Sequence, residues 1–205
     1  MALASPSPDN TIVHTITRTI QPSIPSDSPQ FVSTKTFTSA ILNSTNFFRE
    51  EHNATTVNYN ETLAQFAQDY LDDNDNDNPD SCPKFKHSGG PYGENLALGC
   101  SDVQSCVDAW GNERDQYDFG DPGFDHETGH FTQLVWKNTT DVGCGRKLCD
   151  KKGWYLVCEY WPRGNVLGQF GDAVQAQVSA ATHPWAGGMP IPASLMAVLL
   201  LVVMR

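Results

Sequence analysis

The amino-acid sequence predicts an α+β domain of about 140 residues with a non-globular segment on either side of it. Apolar residues recur at helical spacing in the first half of this domain, whereas β-branched and aromatic residues gather in short runs in its second half. Helices followed by strands are typical of α+β domains. All six cysteines lie between residues 82 and 158.

Three amphipathic helices are predicted, over residues 39–52, 61–71 and 103–117. In each of them apolar side chains return every three or four residues and form one buried face. The charged triplet at residues 49–51 is assigned to the polar outer face of the first helix. A short fourth helix is expected to begin at Glu94 and to end at Gly99.

Two strands are predicted in the second half of the domain. The run GHFTQLVW, at residues 129–136, alternates large and small side chains and is rich in β-branched and aromatic residues. It is expected to continue to a turn at residues 143–145. The second strand, GWYLVCEY at residues 153–160, ends at a Pro-Arg-Gly-Asn turn.

Composition restricts the function. The chain has 24 acidic and 13 basic side chains and a formal net charge of -11, which argues against nucleic acid as a partner. An even number of cysteines predicts three disulfides and an oxidising compartment. Secretion is also indicated by four N-glycosylation sequons, at Asn43, Asn53, Asn60 and Asn138.

The two ends of the chain differ from its middle. Residues 1–35 are rich in Ser, Pro and Thr and are predicted to be a disordered arm, so the domain is placed at residues 36–172. The N-terminus has no apolar signal-peptide region, and we expect the natural start to lie upstream. In the tail, residues 173–205, small residues, a spacer and an apolar end follow one another. That order resembles a signal for GPI attachment.

Residues 126–130 read HETGH and match the HExxH pattern of zinc proteases. That chemistry needs a helix, because both imidazoles must face the same metal. A Pro-Gly pair precedes the motif, a glycine lies inside it and a predicted strand follows it. The match is therefore interpreted as a coincidence.

A second set of polar residues is more informative. It consists of two histidines and two glutamates: His87, Glu94, Glu113 and His130. Two imidazoles and two carboxylates that meet can bind a divalent metal or form a coupled proton site. Their spacing alone does not show that they meet.

Three segments resemble the signatures of the CAP superfamily, named after cysteine-rich secretory proteins, antigen 5 and pathogenesis-related group one proteins. They are HSGGPYGENLA at residues 87–97, GHFTQLVW at 129–136 with VGCG at 142–145, and VCEYWPRGN at 157–165. The resemblance covers residues 36–172, and the first segment is similar to the fungal branch of the superfamily.

The resemblance implies an α-β-α sandwich. It places His87, Glu94, Glu113 and His130 at the bottom of a cleft that can hold a divalent ion such as zinc or magnesium. It also implies disulfides Cys82–Cys149 and Cys144–Cys158, which leaves Cys100–Cys106 as the third pair.

For function, the resemblance implies a secreted protein that binds sterols or fatty acids without covalent chemistry. The sterol would contact a loop whose aromatic residues are Tyr117, Phe119 and Phe124. Two alternatives stay open: a metal-dependent hydrolase that uses the four His and Glu residues, and a secreted effector with no lipid role. We expect a binding protein rather than an enzyme, at the cell exterior or attached to the cell surface by a GPI anchor.

Overall fold

The structure is a computed structural model that describes residues 25–73 and 82–178. Most of the predicted N-terminal arm and the GPI-like part of the tail lie outside the described residues. The helices are α1 (Pro29–Val32), α2 (Thr34–Glu51), α3 (Glu61–Asp73), α4 (Val103–Asn112), α5 (Gly129–Leu134) and α6 (Phe170–Ala173). The strands are β1 (Asn58–Tyr59), β2 (Gly93–Cys100), β3 (Asp141–Leu148) and β4 (Trp154–Trp161).

The four strands form one sheet in the order β1-β3-β4-β2. Strand β4 lies in the middle and pairs antiparallel with both β2 and β3, while the short β1 pairs parallel with β3. Cys144 and Cys158 are directly opposite each other in the β3–β4 register and form a disulfide. The other two disulfides are Cys82–Cys149 and Cys100–Cys106, so all three implied pairs are present.

The two faces of the sheet are covered by different helices. Along β4, Tyr155 and Val157 pack in one core cluster with residues of α3, whereas Leu156 and Cys158 pack in another with residues of α2 and α4. This division follows from the alternation of side chains along a strand. The structure confirms the predicted α-β-α sandwich.

Helix α3 lies directly on β3. A Cβ atom at Gly143 would stand 2.3 Å from the backbone of Asn60 and Ala64, so only glycine fits there. The backbone contact fixes the height of α3 above the sheet, and it leaves room beside α3 for the polar residues of β2 and β4.

Arg49 corrects the predicted outer face of α2. Its side chain is fully buried and donates to four backbone carbonyls, those of Thr55, Leu134, Trp136 and Thr139. Burial lowers its pKa to about 10. Arg49 thus ties α2 to the segment that joins α5 to β3, and the charged triplet 49–51 does not lie wholly in solvent.

Two predicted elements are wrong. Residues 129–134 form helix α5 rather than a strand, and residues 93–100 form β2 rather than a helix. Residues 131–136 are all buried, so the run shows no periodicity that could separate a helix from a strand. In β2, pairing with the whole length of β4 overrides the helical propensity of its Leu and Ala residues.

The N-terminal boundary of the domain also needs correction. Helix α1 and the start of α2 precede residue 36, and Phe31 is fully buried. The Phe31 ring stacks on Trp154 with 4.8 Å between ring centroids, and Trp154 Nε1 donates to the carbonyl oxygen of Pro25. Residues 25–35 are therefore part of the folded unit and cover the first residue of β4.

Among the described residues, no helix combines the length and the apolar character that crossing a bilayer requires.

Candidate functional site

Glu113 and His130 form the first of two histidine–carboxylate pairs. Glu113 lies in a 3-10 turn, Glu113–Asp115, immediately after α4. One of its carboxylate oxygens lies 2.6 Å from His130 Nδ1, and the other accepts from the backbone N–H groups of His130 and Phe131. These two N–H groups belong to the first turn of α5, which has no hydrogen bond from its own N-cap side chain. Glu113 therefore caps α5 from a distant part of the sequence.

His87 and Glu94 form the second pair. His87 Nδ1 lies 2.6 Å from Glu94 Oε1, and the backbone N–H of Ser88 donates to the same carboxylate. The hydrogen bond with Glu94 raises the pKa of His87. The pair holds the glycine-rich loop, residues 87–92, against the first residues of β2.

The two pairs lie on different sides of β2. Asn95 donates from Nδ2 to the carbonyl oxygen of His130, so Asn95 faces the α5 layer. Its neighbour Glu94 faces the α3 layer, because successive residues of a strand point to opposite faces. There Glu94 is opposite Glu159 of β4. The alternation explains why the sequence brings these residues into two pairs rather than into one cluster.

This arrangement does not fit a metal held by all four side chains. Among residues 25–73 and 82–178, no group of three or more His, Cys, Asp or Glu side chains is placed to hold a metal ion. Both Glu94 and Glu113 already accept two or more N–H groups each. We therefore derive no chemistry from a shared ion, and the four-residue metal site stays a prediction.

Glu159 is a polar residue that the sequence analysis did not single out. It lies in the middle of β4, fully buried, under α3. Burial, and after it the neighbouring Glu94, raise the pKa of Glu159 to about 9. Burial alone would raise the pKa of Glu94 too, but its hydrogen bonds with His87 and Ser88 lower it. The sequence indicates this residue through its position, because Glu159 is the one charged side chain in the apolar run WYLVCEYW at residues 154–161.

The HExxH motif is split between two elements. Residues 126–128 form a turn and α5 begins only at Gly129, so the two histidines do not share a helix. The His126 ring contacts Phe124 with 5.2 Å between centroids. The geometry of a zinc-protease helix is absent from this motif.

The three aromatic residues of the predicted lipid loop do not form one surface. Tyr117 is buried and Phe119 is partly buried, and both pack on Phe131 of α5. Phe119 also stacks on the buried His52. Only Phe124 remains open to solvent, with 46% of its surface exposed. The loop therefore presents a single exposed aromatic side chain.

A groove runs between α2 and α4, and we call it the helical groove. Its volume is about 440 Å³. Phe47 lies in it with 54% of its surface exposed, beside the buried Phe48. At one end Arg114 lies over the Phe48 ring, 5.1 Å from its centroid, and pairs with Glu51. The sequence does not predict this groove, because helical spacing does not reveal which apolar residue stays exposed.

A second opening lies between the glycine-rich loop and residues 163–165, and we call it the loop cleft. Its volume is about 300 Å³. The cleft contains His87 and Glu94 but neither Glu113 nor His130. Gln133 of α5 lies at its base and Arg163 at its rim. Its lining is mostly polar, in contrast to an interior cavity for an apolar ligand.

The sequon asparagines differ in their surroundings. Asn43, Asn53 and Asn138 are exposed. Asn60 is half-buried, and its side chain accepts from Thr62 N at the start of α3 and donates to Asp141. A glycan at Asn60 would have to replace these contacts.

Comparison with known proteins gives the same family as the sequence motifs. A family model described as the cysteine-rich secretory protein family, CAP, matches residues 42–160. Protein PRY2 of Saccharomyces cerevisiae is 46% identical over 140 residues, which are 67% of this chain and 41% of PRY2. Secreted protein PRY1 of Candida albicans is 40% identical over 135 residues, 65% of this chain and 31% of PRY1. The chain thus spans less than half the length of these two relatives.

The fold has solved counterparts. The venom allergen-like protein 4 of Schistosoma mansoni superposes with a TM-score of 0.51 at 21% identity, over 70% of this chain and 96% of that protein. At this identity the likeness concerns the fold alone. Because the family model matches more than half of its length, the chain belongs to the cysteine-rich secretory protein (CAP) family.

Proposed function

We propose that this chain is an extracellular protein that binds fatty acids or sterols without covalent chemistry. The sequence resemblance to the fungal CAP branch supports a lipid ligand. Three disulfides and three exposed sequon asparagines fit an oxidising compartment outside the cytosol. The Candida albicans relative is itself named a secreted protein.

The observation that carries the proposal is the helical groove. Phe47 exposes an apolar ring there, and contact with a lipid chain would remove that ring from water at a gain of about 25 cal/mol per Å². A guanidinium is a suitable partner for a carboxylate, and Arg114 lies at the end of the groove, where a fatty-acid carboxylate would compete with Glu51 for it. Phe47 and Phe48 lie among polar residues of α2 and α4, and an exposed ring beside a guanidinium suits a chain-shaped lipid with an anionic head.

The loop at residues 117–124 is less suited to a flat sterol in this conformation. Tyr117 and Phe119 are already packed on Phe131, so a sterol would find Phe124 as its aromatic contact. The groove therefore supports a chain-shaped lipid more directly than the loop supports a sterol, and both classes belong in the test.

Mass spectrometry of lipids that co-purify with the secreted protein tests the proposal. We expect a fatty acid or a sterol in near-stoichiometric amount, reduced in a Phe47→Asp variant. If the protein carries no more of either lipid than a non-binding secreted control, the proposal is wrong.

We also propose that the tail carries a GPI-attachment signal, as the order of residues 179–204 suggests. Phosphatidylinositol-specific phospholipase C should then release the protein from intact cells. Protein that is found only in the medium, without enzyme treatment, would contradict this attachment.

A further inference from the structure

We propose that the loop cleft binds a carbohydrate, with a sugar ring stacked on Trp161. The cleft is separate from the helical groove, so this inference does not depend on the lipid proposal. Three features support it. Gln133 has a buried N–H donor without a partner, and Tyr92 lines the cleft next to the exposed Trp161. Arg163, which also lines the cleft, is unpaired among the described residues.

The base of the cleft contains a hydrogen-bond donor without a partner. Gln133 is only 2% exposed, and its Oε1 accepts from the backbone N–H of Gly164. Its Nε2 has no hydrogen-bond partner among the described residues. A Cβ at Gly93 would lie 1.9 Å from Gln133 Oε1, so the amide is held in place by a glycine that leaves room for it. A buried donor without an acceptor costs free energy, and an acceptor on a ligand would recover it once the Gln133 amide shifts toward the cleft, since Nε2 itself is inaccessible.

One aromatic ring, that of Tyr92, lines the cleft, and the exposed Trp161 lies next to it. Trp161 follows the buried part of β4 and keeps 49% of its surface exposed. Its ring is nearly perpendicular to that of Tyr92, with 6.1 Å between the centroids, and Tyr92 lines the cleft. An exposed indole offers a flat apolar face next to polar groups, which suits the C–H face of a sugar ring.

Arg163 completes the rim. It is exposed and lines the cleft, and it makes no hydrogen bond or ion pair with any other residue in the described ranges. Its five N–H donors are available to the hydroxyl or carbonyl oxygens of a ligand. Together with Gln133 it gives donors at both the base and the rim.

The charges favour a neutral sugar over an anion. Glu94 lies in the same cleft, so an anionic ligand placed beside it would be repelled. The polar lining disfavours a lipid chain, which gains little from such walls. A neutral polyhydroxylated ring with one apolar face matches both the donors and the indole.

Isothermal titration of the full-length secreted protein with three hexasaccharides tests this inference. The probes are β-1,3-linked glucose, β-1,4-linked N-acetylglucosamine and α-linked mannose. We expect saturable binding of at least one of them. Trp161→Ala should weaken it by about tenfold or more, as for a central aromatic contact, and Arg163→Ala should weaken it measurably. Both residues are exposed, so the variants should keep the wild-type urea-unfolding midpoint.

The control is Phe47→Asp, which changes the helical groove and should leave sugar binding unchanged. Absence of binding by all three probes at millimolar concentration would overturn the inference. So would wild-type affinity in both Trp161→Ala and Arg163→Ala, or complete competition by inorganic phosphate, which would indicate an anion site instead. Loss of lipid with retained sugar binding would separate the two proposals.

Discussion

His130 Nδ1 lies 2.6 Å from Glu113 Oε1, while the other oxygen of Glu113 accepts from the first N–H groups of α5. One carboxylate thus caps a short helix and orients the histidine on it. This gives Glu113 a structural role that does not require a metal ion. The role can be tested through stability alone.

Glu113→Ala should lower the free energy of unfolding by about 1–2 kcal/mol, because the first turn of α5 loses its cap. Urea denaturation followed by circular dichroism measures the change. Glu127→Ala is the matched control, since Glu127 is exposed and lies close to the same helix. Equal stabilities of the two variants would show that the cap contributes nothing.

Arg49→Leu should destabilise the protein by about 3 kcal/mol or more, because four buried carbonyls lose their donor. Lys35→Met removes a charge from the exposed face of the same helix and should change stability by less than about 0.5 kcal/mol. Chemical denaturation of both variants gives the comparison. A loss in Arg49→Leu no larger than in Lys35→Met would rule out the anchoring role.

Stability should depend on pH through His52. Burial lowers the pKa of His52 below its usual value of 6.5, and the charge of Arg114 adds to this effect against the opposing hydrogen bond to Gln175. Above pH 6.5 the ring is neutral in both states and the folded state has its full stability. As pH falls from 6.5 through the folded pKa, the unfolded state takes up the proton first, so the free energy of unfolding falls.

His52→Asn keeps a donor near Nδ1 but does not titrate in this range. Its difference in stability from the wild type should therefore change between pH 8 and pH 5. A difference in stability between His52→Asn and the wild type that stays constant from pH 8 to pH 5 would mean that burial does not affect this histidine.

The corrected N-terminal boundary predicts that residues before the matched family region contribute to stability. Phe31→Ala should cost about 3–5 kcal/mol, because the ring is fully buried against Trp154. The adjacent Val32 is 56% exposed, and Val32→Ala should cost much less. Thermal and urea unfolding of Phe31→Ala and Val32→Ala measure the two losses in the free energy of unfolding. Similar stabilities would place α1 outside the cooperative unit.

Lipid binding should survive the double substitution His87→Ala with His130→Ala, since neither residue lines the helical groove. Binding of palmitate to the purified variant measures this. A metal-dependent turnover that the wild type has and the variant lacks would favour the hydrolase alternative.

Much of the fold could be predicted from amphipathic spacing. Helices α2, α3 and α4 have one buried face each and were predicted, although the start of α2 and the end of α4 each differ by five residues from the prediction; β4 was predicted within one residue. The wrongly assigned run at 129–136 is buried on all sides, and its helix is capped by Glu113, a residue sixteen positions before Gly129. Local pattern contains no information about such a distant cap.

The site was predictable in its residues but not in its arrangement. Each histidine lies beside one glutamate, whereas the family resemblance implied one cleft for all four residues. Whether the two pairs share one space depends on which face of β2 Glu94 occupies, and the sequence pattern favours a helix at that position. A one-residue shift along a strand moves a side chain to the other layer, so the predicted helix could not show that Glu94 lies opposite Glu159.

The measurement that tests the central claim most directly is saturation binding of radiolabelled palmitate and cholesterol to delipidated protein. We predict saturable binding of palmitate, or of both lipids, that Phe47→Asp reduces by about tenfold or more. Phe85→Asp, at a residue of nearly equal exposure, 55% against 54%, should bind as the wild type does. Binding of neither lipid above an albumin-corrected background, or equal binding by both variants and the wild type, would contradict the assignment of the helical groove as a lipid site.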